Sequence, residues 1–451
     1  MTVLSAKTAL LPSGWADDVQ VEIVAGRITR VEQGLPANDA LGCLLPAPVN
    51  LHSHAFQRAM AGMTERRSAG QDSFWTWRTL MYRFLERLTP EDVEAIAAFV
   101  QMEMAEAGYA AVAEFHYLHH APGGARYANR AEISARIAAA ADKSGLGLTL
   151  LPVFYAQGGC DGRALAAGQL RFGNDFSGFT DLWRDAQQAV RALPADAVLG
   201  LAPHSLRAVT PAQLAQAATL SPDAPIHMHL AEQVAEVEEV RAAYGARPVA
   251  WLLENTKVDQ RWCLIHCTQM EPVETEALAA TGAVAGLCPI TEANLGDGIF
   301  DGVRYQAAGG RWGIGSDSNL RISLSEELRL LEYSQRFRDK GRAVLASVEK
   351  STGRTLYEAS LIGGAQAAGR ASGAIRVGDW ADLLALDMGA VDLEGRRGDA
   401  ILDAWIFAGD DRMVSEVWSA GRHIVTAGRH PAREVITARY RAVMAGLGDA
   451  L

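Results

Sequence analysis

The chain of 451 residues is short of several things, and each shortage excludes a class of protein. Only five cysteines are present, at 43, 160, 263, 267 and 288, an odd and scattered set with no C-x-x-C spacing. Such a set excludes a disulfide framework and reads as reduced core thiols of an intracellular protein. Positive charge is also scarce: 42 lysines and arginines stand against 53 aspartates and glutamates, a net charge of −11, with no basic run. Nucleic acid and anionic membrane surfaces are therefore poor partners. No stretch reaches the roughly 18 uncharged apolar residues of a membrane span. The opening MTVLSAKTALLPSG lacks the basic and apolar regions of a secretory signal, so a soluble cytoplasmic protein is expected. Internal repeats are lacking too. What the chain does have is 49% hydrophobic and 21% charged residues, ample for a large core and unlike a disordered chain.

The two ends share one texture. VQVEIVAGRITRVEQ alternates and breaks at Gly26, a hairpin signal, and ADLLALD (381–387), DAWIFAG (403–409) and VSEVWSAGRHIVTAG (414–428) read as further strands. This predicts a small β-sandwich domain assembled from residues 1–47 and 372–430, followed by a C-terminal helix over 431–451. The middle, 48–371, alternates short apolar runs with amphipathic stretches. The runs are APVNL, AAVAEF, LTLLPVF, AVLGLAP, APIHMHL, WCLIH, GAVAGLCP and RWGIGSD. Patterns such as EDVEAIAAFVQMEMAEAG and RAEISARIAAAADKSG lie between them and predict helices. Eight strands alternating with helices predict an α/β fold, a (β/α)8 TIM barrel. The polar residues at the ends of the runs favour the barrel over an open sheet, because barrel active sites collect there.

His52 and His54 close the first run in NLHSHAF; two residues apart on a strand, they point to one face. His227 and His229 end the fifth run in HMHLAE, with Glu232 three residues beyond His229. His229, nearer the strand end, is the expected ligand, and His227 is expected to be a hydrogen-bonded core residue. His266 ends the sixth run and Asp317 the eighth. Alone, each has a bland reading; Asp317, for instance, could cap a helix in its Ser-Asp-Ser-Asn turn. Together, three histidines and an aspartate suit one divalent metal ion, Zn2+ or Fe2+, with a water completing the shell. Glu232 and His266 remain over to move protons, more acid–base groups than a structural metal needs.

Nearly the whole chain resembles the amidohydrolase superfamily, through PAPVNLHSHAFQ, HMHLAE, LIHC, GSDSN and GAIRVGDWADLLALD. The resemblance implies metal binding by His52, His54, His229 and Asp317, with Glu232, His266 and Asp317 in the chemistry. The fourth strand ends in LGLAPHSLR, with His204 and no lysine to bridge two ions, which implies a single metal. Within the superfamily the likeness is to the formimidoylglutamate deiminases, through LHSHAFQRAMAG, SFWTWR, AEFHYLHH and APHSLRAV. It implies hydrolysis of N-formimidoyl-L-glutamate to N-formyl-L-glutamate and ammonia in histidine degradation, by an enzyme that is a homodimer. The substrate, a small dicarboxylate amidine, would meet Gln57, Arg78, Tyr117, His204 and Arg207. The two arginines offer planar forks suited to carboxylates. Without the resemblance, Arg78 reads as stacked on Trp75 or Trp77, Arg207 as paired with an acidic neighbour, and Tyr117 as a core tyrosine. Two other functions stay open: an aminohydrolase of a purine, pterin or triazine ring, and a non-catalytic barrel that only binds.

Overall fold

A computed structural model describes residues 1–65 and 74–448, without the side chains of residues 74–76 and 78. Its first four strands are β1 (Thr2–Leu11), β2 (Gly14–Val24), β3 (Arg27–Glu32) and β4 (Leu41–Pro46). The next five are β5 (Val49–Ser53), β6 (Ala111–His116), β7 (Gly147–Phe154), β8 (Val198–Leu199) and β9 (Ala202–Pro203). Then come β10 (Ile226–Leu230), β11 (Trp262–His266), β12 (Val284–Leu287) and β13 (Arg311–Ile314). The last three are β14 (Leu383–Leu386), β15 (Val414–Ser419) and β16 (Arg422–Val425).

Every apolar run of the middle region is a strand, with AVLGLAP divided into β8 and β9. β5 to β8 form one parallel sheet, β9 pairs with β7 farther along, and β10 to β13 form a second parallel sheet. Parallel bridges Ser53–Asp317 and Leu201–Ile226 join the two sheets at their edges. β6, β7, β10, β11 and β12 are buried along their whole length, as expected of parallel strands covered by helices.

The helices start and stop where their sequences say. Thr89 accepts from the Asp92 N–H and Asp92 returns the bond to Thr89, opening the helix Pro90–Glu106 with proline in its first turn. The helix Glu132–Ser144 ends on Gly145 at φ 68°, a left-handed stop that favours glycine. The helix Thr352–Ala367 lies against β13, where a Cβ at Gly363 would fall 1.9 Å from the Trp312 carbonyl oxygen. Among the described residues, no helix is long and apolar enough to cross a membrane.

Both ends of the chain meet in one seven-stranded mixed sheet, ordered β16-β15-β14-β4-β1-β2-β3. Where a sandwich was expected, this single sheet curls on itself. The Ile28 N–H donates to the Asp379 carbonyl at 3.0 Å and the Gly378 N–H to the Ile28 carbonyl at 2.8 Å. Inside the curl Val19, Val21, Ile28, Leu44, Leu383 and Trp418 form a separate small core. DAWIFAG is not a strand: Asp399–Phe407 is a helix. Ile401 and Trp405, and Leu402 and Ile406, recur four residues apart and are buried, a spacing that a continuous apolar run conceals. A last helix, Arg433–Gly448, follows the sheet.

Candidate active site

His52, His54 and His229 leave the ends of β5 and β10 and aim their Nε2 atoms at one point, which Asp317 approaches from beyond β13. The two strand ends are stitched together, since the His54 N–H donates to the Asp317 carbonyl and the Asp317 N–H to the His52 carbonyl, both at 2.9 Å. The Asn50 amide donates to Ser316 Oγ at 2.6 Å, Ser316 Oγ to Asn319 Oδ1 at 2.6 Å, and the Asn319 amide to Ser53 Oγ at 3.1 Å. Asp317 itself holds φ 43° and His266, at the end of β11, φ 73°. Left-handed backbone at non-glycine residues is strained, and such strain gathers at functional sites. Asp317 is not a helix cap; Ser323 caps the helix that follows.

The distances test whether a metal fits. His54 Nε2 lies 3.3 Å from His229 Nε2, and His229 Nε2 lies 3.2 Å from His52 Nε2. Asp317 Oδ1 lies 3.3 Å from His52 Nε2 and 3.2 Å from His54 Nε2. A tetrahedral ion with bonds near 2.0–2.1 Å sets its ligand atoms about 3.3–3.4 Å apart. The tautomers agree. His54 Nδ1 donates to the Phe115 carbonyl at 2.7 Å and His229 Nδ1 to the His204 carbonyl at 3.1 Å. A carbonyl only accepts, so Nδ1 carries a hydrogen in both rings and Nε2 is the nitrogen left to ligate. Burial lowers the His52 pKa to about 3 and drives His229 well below its ordinary value, so neither relieves the crowding by taking a proton. Burial alone would raise Asp317, but the His52 and His54 rings beside it outweigh that and hold it well below the usual carboxylate range. Three imidazole nitrogens and one carboxylate converging at this spacing form a cation site.

Beside it sits an acid–base group. His266 Nε2 lies 3.9 Å from both Glu232 Oε1 and Asp317 Oδ2. Its Nδ1 meets Glu292 Oε1 at 3.2 Å, an oxygen that also accepts from the Cys288 N–H at 2.8 Å. Burial works against charge on His266, yet Glu232, Glu292 and Asp317 outweigh it and raise its pKa well above the ordinary value. Burial raises Glu232, and His266 opposes that rise. His266 thus stands between two carboxyl groups that favour its charged form and lie close enough to exchange protons with it.

A cavity is lined by His54, His229, Asp317, Glu232 and His266, and also by Gln57, Tyr117, His204 and Arg207. His52 lies beneath them, fully buried. The Gln57 amide donates to Tyr117 Oη at 2.7 Å, which donates to Met81 Sδ at 3.3 Å. His204 Nδ1 meets Ser205 Oγ at 3.1 Å. Arg207 is buried, lines the cavity, and has Glu236 3.9 Å away, so it both faces the site and has an acidic neighbour. Arg78 lies on the helix Phe74–Leu85, and its side chain is outside the described residues. His227 is the buried core histidine expected, bonding the Ala367 carbonyl at 2.8 Å, and Cys263 and Cys267 are buried free thiols.

Four carboxylates escaped the sequence reading. Glu292 holds His266, Glu236 accepts from the N–H groups of Ala231 and Glu232, and Glu114 accepts from the Ala55 N–H at 2.7 Å just after His54. Burial raises Glu114 to about 7 and Asp297, bonded by Gln233 next to Glu232, to about 9. Their signal was faint: Glu236 and Glu292 are spaced four residues from Glu232 and Cys288, inside ordinary helical patterns.

Known proteins resemble this chain in sequence and fold. The amidohydrolase family profile covers residues 43–424, and the profile of the formimidoylglutamate deiminase HutF N-terminal domain covers residues 1–40. A formimidoylglutamate deiminase of Pseudomonas aeruginosa is 50% identical over 96% of this chain and 97% of its own. An amidohydrolase structure from Brucella melitensis superposes with TM-score 0.95 at 47% identity, over 99% of this chain and 100% of that one. A zinc-bound adenosine deaminase from Xanthomonas campestris has TM-score 0.81 at 21% identity, over 98% and 97%, a likeness of fold alone.

Proposed function

This chain belongs to the amidohydrolase family, and from that premise we infer that it is a metal-dependent deiminase of N-formimidoyl-L-glutamate, releasing ammonia and N-formyl-L-glutamate in histidine degradation. The same reading takes the middle region as a closed (β/α)8 barrel, residues 48–371, and the assembly as a cytoplasmic homodimer. One observation carries the substrate choice: a buried arginine, Arg207, opens into the same cavity as the convergent quartet, where a neutral ring would gain nothing from a guanidinium fork.

His52, His54, His229 and Asp317 would hold one ion, Zn2+ first and Fe2+ as the other ion that nitrogen and oxygen ligands suit. When bound, it supplies a Lewis acid that brings water towards hydroxide near neutral pH. Asp317 Oδ2, turned away from the histidines and towards His266, accepts the proton that the attacking water loses. His266, whose charged form Glu232 and Glu292 favour, steadies the negative charge that grows on the substrate's reacting centre. Glu232 delivers a proton to the amidine nitrogen, which departs as ammonia, and regains one from the hydroxyl on the same carbon as the formyl C=O forms. Arg207 and Arg78 grip the carboxylates, and Gln57, Tyr117 and His204 orient the chain between them.

The reaction is tested by incubating zinc-loaded protein with N-formimidoyl-L-glutamate and identifying the carbon product by mass. N-formylglutamate with ammonia is expected. Glutamate with formamide would mean that the other C–N bond breaks, and turnover of a purine, pterin or triazine instead would move the enzyme to ring aminohydrolysis.

A further inference from the structure

Behind the cavity wall lies a cation that the chemistry above does not use. Arg171 is fully buried, yet no carboxylate is paired with it among the described residues. Its guanidinium donates instead to neutral oxygens: the carbonyls of Leu85, Leu88 (3.0 Å) and His120 (2.7 Å) and the hydroxyl of Tyr127 (3.3 Å). A buried guanidinium without a counter-ion is costly, so the segments that it holds gain the arrangement that justifies it.

Those segments are three walls of one cavity. Leu85 ends the helix Phe74–Leu85, whose last carbonyls carry the negative end of its dipole; the Leu85 carbonyl takes the Leu88 N–H at 3.3 Å and the Arg171 guanidinium as well. That helix brings Trp77, Met81 and Tyr82 to the cavity, and Arg78 rides on it. The Arg171 carbonyl accepts the N–H groups of His119 and His120, both at 2.9 Å, fixing the chain two residues beyond Tyr117. Next in sequence, the Phe172 ring lies 4.8 Å from Tyr117, 5.6 Å from Tyr155 and 6.3 Å from Tyr82, and all four rings line the cavity.

We propose that Arg171 is a positioning residue for substrate binding: through the end of the helix Phe74–Leu85 and through Phe172 it sets the wall that grips the substrate, without touching the reacting atoms. It rests on the reading of this cavity as the N-formimidoyl-L-glutamate site. A residue acting only on the grip changes binding shared by substrate and transition state, which moves KM and leaves kcat.

The test compares zinc-loaded wild type with Arg171→Ala by steady-state ammonia release. KM for N-formimidoyl-L-glutamate should rise about tenfold or more while kcat stays within about threefold. Millimolar guanidinium chloride should restore KM by refilling the cavity left behind. Hydrogen exchange over residues 79–88, which needs no substrate, should accelerate in the variant. Phe172→Leu, which spares the guanidinium, should raise KM by about threefold. An unchanged KM in Arg171→Ala, or wild-type exchange at the helix end, overturns the proposal. If Arg171→Ala does not fold, wild-type KM in Phe172→Leu overturns it. Wild type that leaves N-formimidoyl-L-glutamate untouched would sink the substrate reading alone, with the exchange measurement still deciding whether Arg171 anchors the helix.

Discussion

Arg370 and the histidines of the active site are equally buried, and each cluster ties parts of the chain that are far apart in sequence. Around Arg370 every charge finds its opposite. Its guanidinium grips both Asp382 oxygens at 2.6 and 2.8 Å and reaches Asp196 at 2.8 Å, while Arg422 grips both Asp196 oxygens at 2.7 and 2.8 Å. This balanced set fastens the terminal sheet to the segment before β8. At the other ends of the strands, His52, His54, His229 and Asp317 turn ligand atoms towards one another. The first cluster is complete as protein alone. The second closes only around a cation, and that difference separates a structural network from a site.

Removing a member of each cluster should therefore break different things. Asp317→Ala takes a ligand from the quartet and should cost bound zinc and about 10^4-fold or more in kcat/KM, read by metal analysis and ammonia release. Glu232→Gln should keep the zinc and lose about 10^3-fold in kcat, because only proton delivery is removed; normal turnover would strike Glu232 from the mechanism. Arg370→Met leaves Asp382 buried without its cation and Asp196 with Arg422 alone, and should cost about 3–5 kcal/mol of stability in urea melts, while the folded fraction keeps its kcat. Glu292→Gln, which weakens the hold on His266 without touching the quartet, should lower kcat about tenfold with zinc content unchanged.

The balanced cluster also has a pH signature. Burial would raise Asp196, but Arg422 and Arg370 hold its pKa below the usual carboxylate value. A depressed acid stabilises the fold fully above its unfolded pKa and loses that contribution as pH falls through the folded one. Asp196→Asn should therefore be less stable than wild type at neutral pH, with the gap narrowing below about pH 4. A gap that persists at low pH would mean that packing, not charge, holds the two parts together.

How much of this was legible follows from where residues sit. His52, His54, His229, His266 and Asp317 stand at the ends of apolar runs, so a period-2 reading and a count of runs were enough to gather them. Glu292, Glu236 and Asp297 reach the site from helix starts and a loop, and three-dimensional return of the chain, not spacing, puts them there. Arg171 was invisible for a related reason: three of its partners are carbonyls, which every residue has, and the fourth is a tyrosine hydroxyl far away in sequence. DAWIFAG misled because a short, continuously apolar segment fits a buried helix as well as a strand. The curled sheet was missed in form although its strands were found, since a sequence marks strands and not how far a sheet bends.

The central claim is that the quartet is a metal centre for deimination. The direct measurement strips the protein of metal with a chelator and titrates zinc back while following both bound ion and ammonia release from N-formimidoyl-L-glutamate. The account predicts activity that rises linearly and saturates at one ion per chain, and a His229→Ala variant that neither binds that ion tightly nor turns over. Full activity in metal-free protein, or one tightly bound ion retained by His229→Ala, would contradict it.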